Sequence, residues 1–200
     1  TFLDTWTRHM VDDIKFDPSK VTTMVHGIDF ERFVDISPGE AKVKAGFKPD
    51  DYLVVSMNRN SARKMWDTTI KAFLEFLQRE QMNPHIKLYC GCLPYFARGI
   101  DIAMTLRSEC MRRGMDIDQV CNHHVFLSSN PLHLSDATVN NIYNAGDVGL
   151  TTTRGEGFGL TPVEHMYLNR PQIVTGIPAL KETMGPYAHF VEPKVWVRIG

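Results

Sequence analysis

From residue 52 onward, short apolar runs alternate with amphipathic stretches. Residues 52–57 (YLVVSM) read as a buried strand. Residues 65–80 follow, with Trp66, Ile70, Phe73, Leu74 and Leu77 on one helical face. The spacing then predicts a strand over 86–90 (IKLYC), a helix over 101–113 and a third strand over 125–128. Ser135 is placed to cap a helix that runs to Ala145, with Val139, Ile142 and Tyr143 sharing a face. A strand over 147–151 (DVGLT), a helix over 162–168, a strand over 172–175, a helix over 179–184 and a strand near 189–191 complete the series. Strands and helices alternating at these lengths predict an α/β fold, a Rossmann-like parallel sheet with helices on both faces. Such sheets bind ligands at the carboxyl ends of their strands. The loops of interest are therefore 58–64, 91–99, 129–135 and 152–161.

The first fifty residues do not join this alternation. VTTMVHGIDFERF (21–33) reads as a strand ending in a turn, and 38–51 as loop and short helix. No internal repeat or low-complexity stretch is present.

Composition narrows the function classes. The 200 residues are 43% hydrophobic and 22% charged, enough for one domain with a sizeable core. A net charge of −1 gives no bulk basic field for nucleic acid or an anionic membrane. No apolar run approaches the roughly 18 residues of a spanning helix, and no secretory pattern opens the chain. The four cysteines, Cys90, Cys92, Cys110 and Cys121, are too few and too unevenly spaced for a disulfide framework, so a reduced, cytoplasmic setting is expected. Cys90 and Cys92 with Cys121, His123 and His124 could be assembled into a zinc site, but the one-residue gap in CGC falls short of the usual two to four. The chain begins at Thr1 without methionine and stops at VWVRIG, which suggests a fragment.

The densest chemistry lies in GEGFGLTPVEHM (155–166), where Glu156 and Glu164 stand eight positions apart. Thr161 at a helix N-cap, Pro162 at its first position and Glu164 at its third make a capping-box signature, in which Glu164 reaches back to the Thr161 amide. A second reading fits the same residues. A helix amino terminus is an anion site, Gly157 and Gly159 let backbone amides approach a phosphate or sugar, and a carboxylate in the first turn can accept both hydroxyls of a ribose. The loop MNRNSARKMWD (57–67) adds Arg59, Arg63 and Lys64. Arg63 reads as a solvated cation, whereas Arg59 and Lys64 at the end of a strand could clamp a diphosphate.

Arg59 and Lys64 at their spacing, YNAGDVGLTTTRGEGFGLTPVEHM and NRPQIVTGIPALKE together resemble the donor-binding domain of retaining GT-B glycosyltransferases, the large family with glycogen-synthase-like and mannosyltransferase-like branches. The resemblance covers about residues 20 to 192. It implies one half of a two-domain enzyme: residues 1–25 closing an amino-terminal domain and crossing over from it, and residues 26–200 forming a nucleotide-sugar-binding domain cut short at its carboxyl end. On that resemblance Arg59 and Lys64 neutralise the donor diphosphate, Glu156 lies near the donor sugar, and Glu164 holds the ribose. Gly157, Phe158, Gly159, Leu160 and Thr161 face sugar and phosphates. The nucleobase lies between loops near Cys92, Leu93, Ser128 and Ser129. The implied partners are a nucleoside-diphosphate sugar, with a lean toward GDP-mannose, a glycan or other hydroxyl acceptor, and the enzyme's own amino-terminal domain. No cofactor or metal is implied. Two departures stand out: TTTRG, with its added cation Arg154, replaces the family's proline-serine turn, and HMYLNRP replaces small residues and a glycine.

Other classes fit less well. A nicotinamide dehydrogenase needs its glycine fingerprint directly after the first strand. The Asp116/Asp118 pair lies in a polar segment ahead of a strand and reads as solvent-exposed. A nucleotide-sugar binding module without turnover remains the alternative for the chain in isolation.

Overall fold

The computed structural model describes residues 3–128 and 133–194. In chain order its main elements are α1 (Asp4–Arg8), α2 (Pro38–Lys44), β1 (Tyr52–Met57), α3 (Trp66–Arg79), β2 (Ile86–Gly91), α4 (Ile102–Arg113), α5 (Ile117–His123), β3 (Val125–Leu127), α6 (Asp136–Ala145), β4 (Val148–Thr151), α7 (Leu160–Tyr167), β5 (Gln172–Thr175), α8 (Pro178–Met184) and β6 (His189–Val191). The strands form one sheet in the order β3-β2-β1-β4-β5-β6, every pair parallel. Strand order reverses between β1 and β4, where Val54 pairs with Val148 and Val55 with Gly149. That reversal opens a crevice at the carboxyl edge, the usual ligand position in doubly wound sheets.

Side chains leave a strand alternately to its two faces, and β1 shows the consequence. Val54 joins Trp66, Ile70, Phe73 and Leu74 of α3 and Leu106 of α4 in one core. Leu53 and Val55 join Val139, Ile142 and Tyr143 of α6 in another. A third cluster, Val163, Val174, Ile177, Leu180 and Met184, packs α7 and α8 on β5. Each large apolar side chain buried this way contributes about 1.5–3 kcal/mol against conformational entropy. The two-faced α/β sheet is thus as the apolar pattern requires.

Two local expectations fail, and one helix appears where the sequence pattern assigns no element. Residues 21–29 adopt no regular secondary structure and pair with no strand, and 30–32 form a turn. Met24 and Val25 are exposed, and the sheet ends at β3 and β6, so the segment lies outside the sheet and makes side-chain contacts instead, such as Thr23 to Thr7 at 2.6 Å. The polar stretch before β3 contains a helix, α5, whose N-cap Asp116 accepts from the amides of Asp118 and Gln119. Both aspartates are exposed, as expected, and Asp116 acts as a cap. Finally, α7 begins at Leu160 with Gly159 as N-cap, not at Pro162 with Thr161 as cap. Gly159 has φ +92°, a left-handed turn that starts the helix two residues early, and a Cβ there would lie 2.4 Å from Leu180 Cδ2.

The capping box therefore does not exist, and Glu164 is free for other contacts. The expected Ser135 cap is present, accepting from the Thr138 amide. A tether with no sequence signature fixes the chain ahead of α2. Asn140 and Asn144 of α6 bond to the backbone of Val34 and Ile36 at 2.9–3.0 Å, which holds Arg32 and Phe33 beside α6.

Candidate functional site

Two loops meet at the switch point. Behind β1, residues 58–61 lead to a 3-10 turn, Ala62–Lys64, and then to Met65 with φ 54°. Behind β4 comes the threonine-rich segment. Thr152 Oγ1 donates to the Met65 carbonyl at 2.9 Å, Thr153 Oγ1 to the Arg63 carbonyl at 3.2 Å, and the Arg154 amide to the same carbonyl at 3.1 Å. The segment that departs from the family's proline-serine turn thus stitches the two loops together. These bonds hold Met65 in a left-handed conformation that a non-glycine residue rarely adopts.

The stitching brings three charges into contact. Lys64 Nζ bonds Asn58 Oδ1 at 2.8 Å and forms a close ion pair with Glu156 Oε1. Arg63 reaches Glu156 Oε2 at 3.1 Å and also the Gly155 carbonyl. Glu156 and Lys64 side chains are 8% and 11% exposed, whereas Arg63 remains 51% exposed. Arg63 is solvent-exposed, as expected, yet it is also bound to the glycine turn, a contact that the sequence pattern does not predict. Burial depresses the Lys64 pKa, opposed by its bond to Glu156. Arg59 is exposed and makes no ion pair among the described residues; its carbonyl accepts from Trp66 Nε1 at 3.3 Å.

Beyond Glu156 the glycine turn leads into α7, whose first turn no side chain caps. Unbonded amides at Leu160 and Thr161 therefore face the turn. The Gly157 carbonyl accepts from Trp6 Nε1 at 3.2 Å, and the Phe158 ring lies 5.4 Å from His26. The segment holding Trp6 is itself fixed by Glu182 of α8, which accepts from the amides of Asp4 and Thr5 at 2.5 and 3.0 Å. A cleft of about 480 Å³ lies between Trp6, Arg8, His9, Asp12 and the Arg154–Glu156 turn.

Glu164 sits on the other side of α7's first turns. It is part-buried, and Tyr143 of α6 donates to its Oε2 at 3.3 Å. Burial raises its pKa, while Arg32, the Tyr143 bond and His26 pull the other way. Beneath it, Tyr143 stacks on His165, ring centroids 5.0 Å apart and planes at 17°. His165 occupies the place where the resemblance leads one to expect a small residue. It fits because Gly146 has no side chain: a Cβ there would lie 2.8 Å from His165 Nε2.

The nucleobase candidates divide. Cys92 and Leu93 line a cleft of about 440 Å³ with Asn58, Arg59, Asn60 and Phe96. Ser128 is buried at the end of β3, its amide on the Cys90 carbonyl at 3.1 Å. Ser129 lies outside the described residues. The cysteines of the zinc arrangement are dispersed, Cys90 buried in β2, Cys92 buried just past its end and Cys121 exposed on α5. Among the described residues the one grouping of three metal-capable side chains is Asp50, Asp51 and His85, at the opposite end of the strands. Tyr143, Asn58 and the threonines carry no motif. Only their position before a strand-end loop could have drawn attention to them.

No protein-family model and no curated protein matches the chain. Its structure does match solved ones. A glycosyltransferase from Rickettsia africae superposes with a TM-score of 0.72 at 15% identity, over 97% of this chain and 48% of that one. The C-terminal domain of LpcC, a group 1 family glycosyl transferase from Francisella tularensis, gives 0.63 at 20% identity, over 84% of this chain and 81% of that one. HepE from Anabaena, solved with UDP and glucose, gives 0.68 at 15% identity, over 96% of this chain and 48% of that one. The chain spans about half the length of the Rickettsia and Anabaena proteins. No helix among the described residues is long and apolar enough to cross a membrane. The fold, a six-stranded parallel sheet flanked by helices, is that of one half of a GT-B glycosyltransferase.

Proposed function

We propose that this chain is the donor half of a retaining GT-B glycosyltransferase and binds a nucleoside-diphosphate sugar at the β1/β4 switch point. The observation that carries this reading is the convergence of Arg63, Lys64 and the uncapped start of α7 on the turn that holds Glu156, with Arg59 on the same loop behind β1. Glycosyl transfer develops positive charge at the sugar while a diphosphate departs with negative charge. Preorganised cations and amide dipoles aimed at the leaving group lower that barrier without reorganising. Arg59 supplies a fork and Lys64 a point charge. Arg63 joins them, since its guanidinium already reaches the glycine turn. Gly157, Phe158, Gly159, Leu160 and Thr161 present backbone to the sugar and phosphates. Glu156 lies beside the cations, in position to orient the donor sugar rather than to form a covalent intermediate.

Glu164 accepts the ribose hydroxyls in this reading, and the Cys92–Leu93 cleft takes the base. The acceptor hydroxyl and the remaining catalytic groups belong to an amino-terminal domain that residues 1–25 would close. HepE was solved with UDP, so uridine donors are tested beside the GDP-mannose favoured by the sequence resemblance. The test is a thermal-shift titration with UDP, GDP, ADP and their sugar conjugates, in wild type and Glu164→Ala. A ligand that binds only the folded state raises the midpoint with log concentration. One nucleotide series should raise it in wild type and fail to do so in the variant. A flat response to all of them, repeated on a chain extended at its amino terminus, overturns the reading. Binding that survives EDTA supports cation-only neutralisation.

A further inference from the structure

We propose that Tyr143 is a positioning residue for Glu164, its hydroxyl fixing one carboxylate oxygen so that the other faces the ligand's hydroxyls. The inference rests on the reading of Glu164 as the carboxylate that accepts a vicinal diol. Tyr143 is 2% exposed, wedged between Phe33 at 5.9 Å and His165 at 5.0 Å. A desolvated phenol is costly unless its O–H finds an acceptor, and phenylalanine would fill the same wedge without that cost. The hydroxyl's partner is Glu164 Oε2 at 3.3 Å, while Oε1 takes no hydrogen bond among the described residues. The bond is long for a hydroxyl donor. It sets the direction of the carboxylate more than it lends energy, which is the property of a positioning contact.

The support beneath is equally specific. His165 is held neutral, its pKa lowered to about 3 by burial, so it presents an uncharged ring to Tyr143. Gly146 leaves the space that lets this ring lie flat under the phenol. The charged and titratable groups facing Glu164 are Tyr143 from α6 and Arg32 and His26 from the chain ahead of α2, with Arg32 itself paired to Asp136 at 2.9 Å.

The experiment compares wild type, Tyr143→Phe and Glu164→Gln in two readouts. The first follows the Glu164 side-chain carboxyl by ¹³C NMR from pH 3 to 8 without ligand. Loss of a donor to the ionised form should raise the Glu164 midpoint in Tyr143→Phe, and the Glu164→Gln spectrum identifies the signal. The second is the affinity for UDP and GDP by calorimetry, expected to fall 3- to 10-fold in Tyr143→Phe at pH 7.5, with a larger loss near pH 5. A purely structural tyrosine would change thermal stability and leave both readouts in place. An unmoved midpoint overturns the inference, as does an unchanged affinity for a nucleotide that wild type binds. A raised midpoint with no nucleotide binding in any variant overturns the donor-site reading and leaves the tyrosine–glutamate pairing standing.

Discussion

Glu156 and Glu164 are the same residue type, eight positions apart on either side of one turn, in opposite surroundings. The Glu156 side chain is buried against two cations, one of which, Lys64, also bonds Asn58. Glu164 is half-buried against a phenol, with the cation Arg32 nearby but paired to Asp136. The first has its charge compensated within the protein, so a bound diphosphate must share Lys64 and Arg63 with it. The second keeps an acceptor oxygen open, and its cost of ionisation is only partly offset by Arg32, Tyr143 and His26. A carboxylate's role follows from what surrounds it when the site is empty.

The comparison breaks hardest at the ion pair. Lys64→Met leaves Glu156 buried with only the half-exposed Arg63, and should lower the unfolding free energy by about 3 kcal/mol, read by urea denaturation. Glu164→Gln should leave stability unchanged or raise it, since it removes a charge that burial disfavours. A similar loss in both variants would erase the distinction. Glu164 should show its part in binding rather than in stability. Glu164→Ala should weaken nucleotide affinity by about 1.5–3 kcal/mol, or roughly one to two decades, by calorimetry.

Gly146→Ala should cost about 1–3 kcal/mol through overpacking of His165 and Val55, and His165→Ala in the same chain should recover part of that loss. The smallest effect per step is that of pH. The folded state holds His165 at about 3 and the unfolded state near 6.5, so the unfolded chain binds the extra proton between those values. Stability therefore rises with pH across that window and falls on acidification below 6.5, by up to roughly 1.4 kcal/mol per unit. Thermal midpoints of His165→Gln between pH 4 and 7 should lack that component of the slope.

Much of this was legible beforehand, and the reasons are local. The alternation of apolar runs and amphipathic faces gave the strands and helices of the sheet, because strand and helix periods differ and the core-facing residues obey them. Ser135 was legible as a cap because the cap bond is made within four residues. Glu156 and Lys64, which the structure pairs, were legible through spacing and family resemblance, whereas Arg59, marked out by the same signals, makes no ion pair among the described residues. What failed was local in appearance only. TPVE reads as a capping box, but Gly159 can adopt φ +92°, which moves the start of the helix and turns Glu164 toward α6. Residues 21–33 have strand composition, yet a strand needs a partner edge, and sheet order decides which edges exist. Arg63 reads as one more surface cation until the threonine segment behind β4 folds onto its loop.

By itself, then, the sequence determined the fold class, the order of the strands along the chain and the choice of Lys64 and Glu156, since these depend on periodicity and on contacts a few residues long. Tertiary structure decided which carboxylate meets cations and which meets a phenol. Lys64 and Glu156 are 92 residues apart, and Tyr143 and Glu164 are 21 apart on different helices. Contacts over such separations are fixed by strand order and helix packing, which no short stretch of sequence encodes.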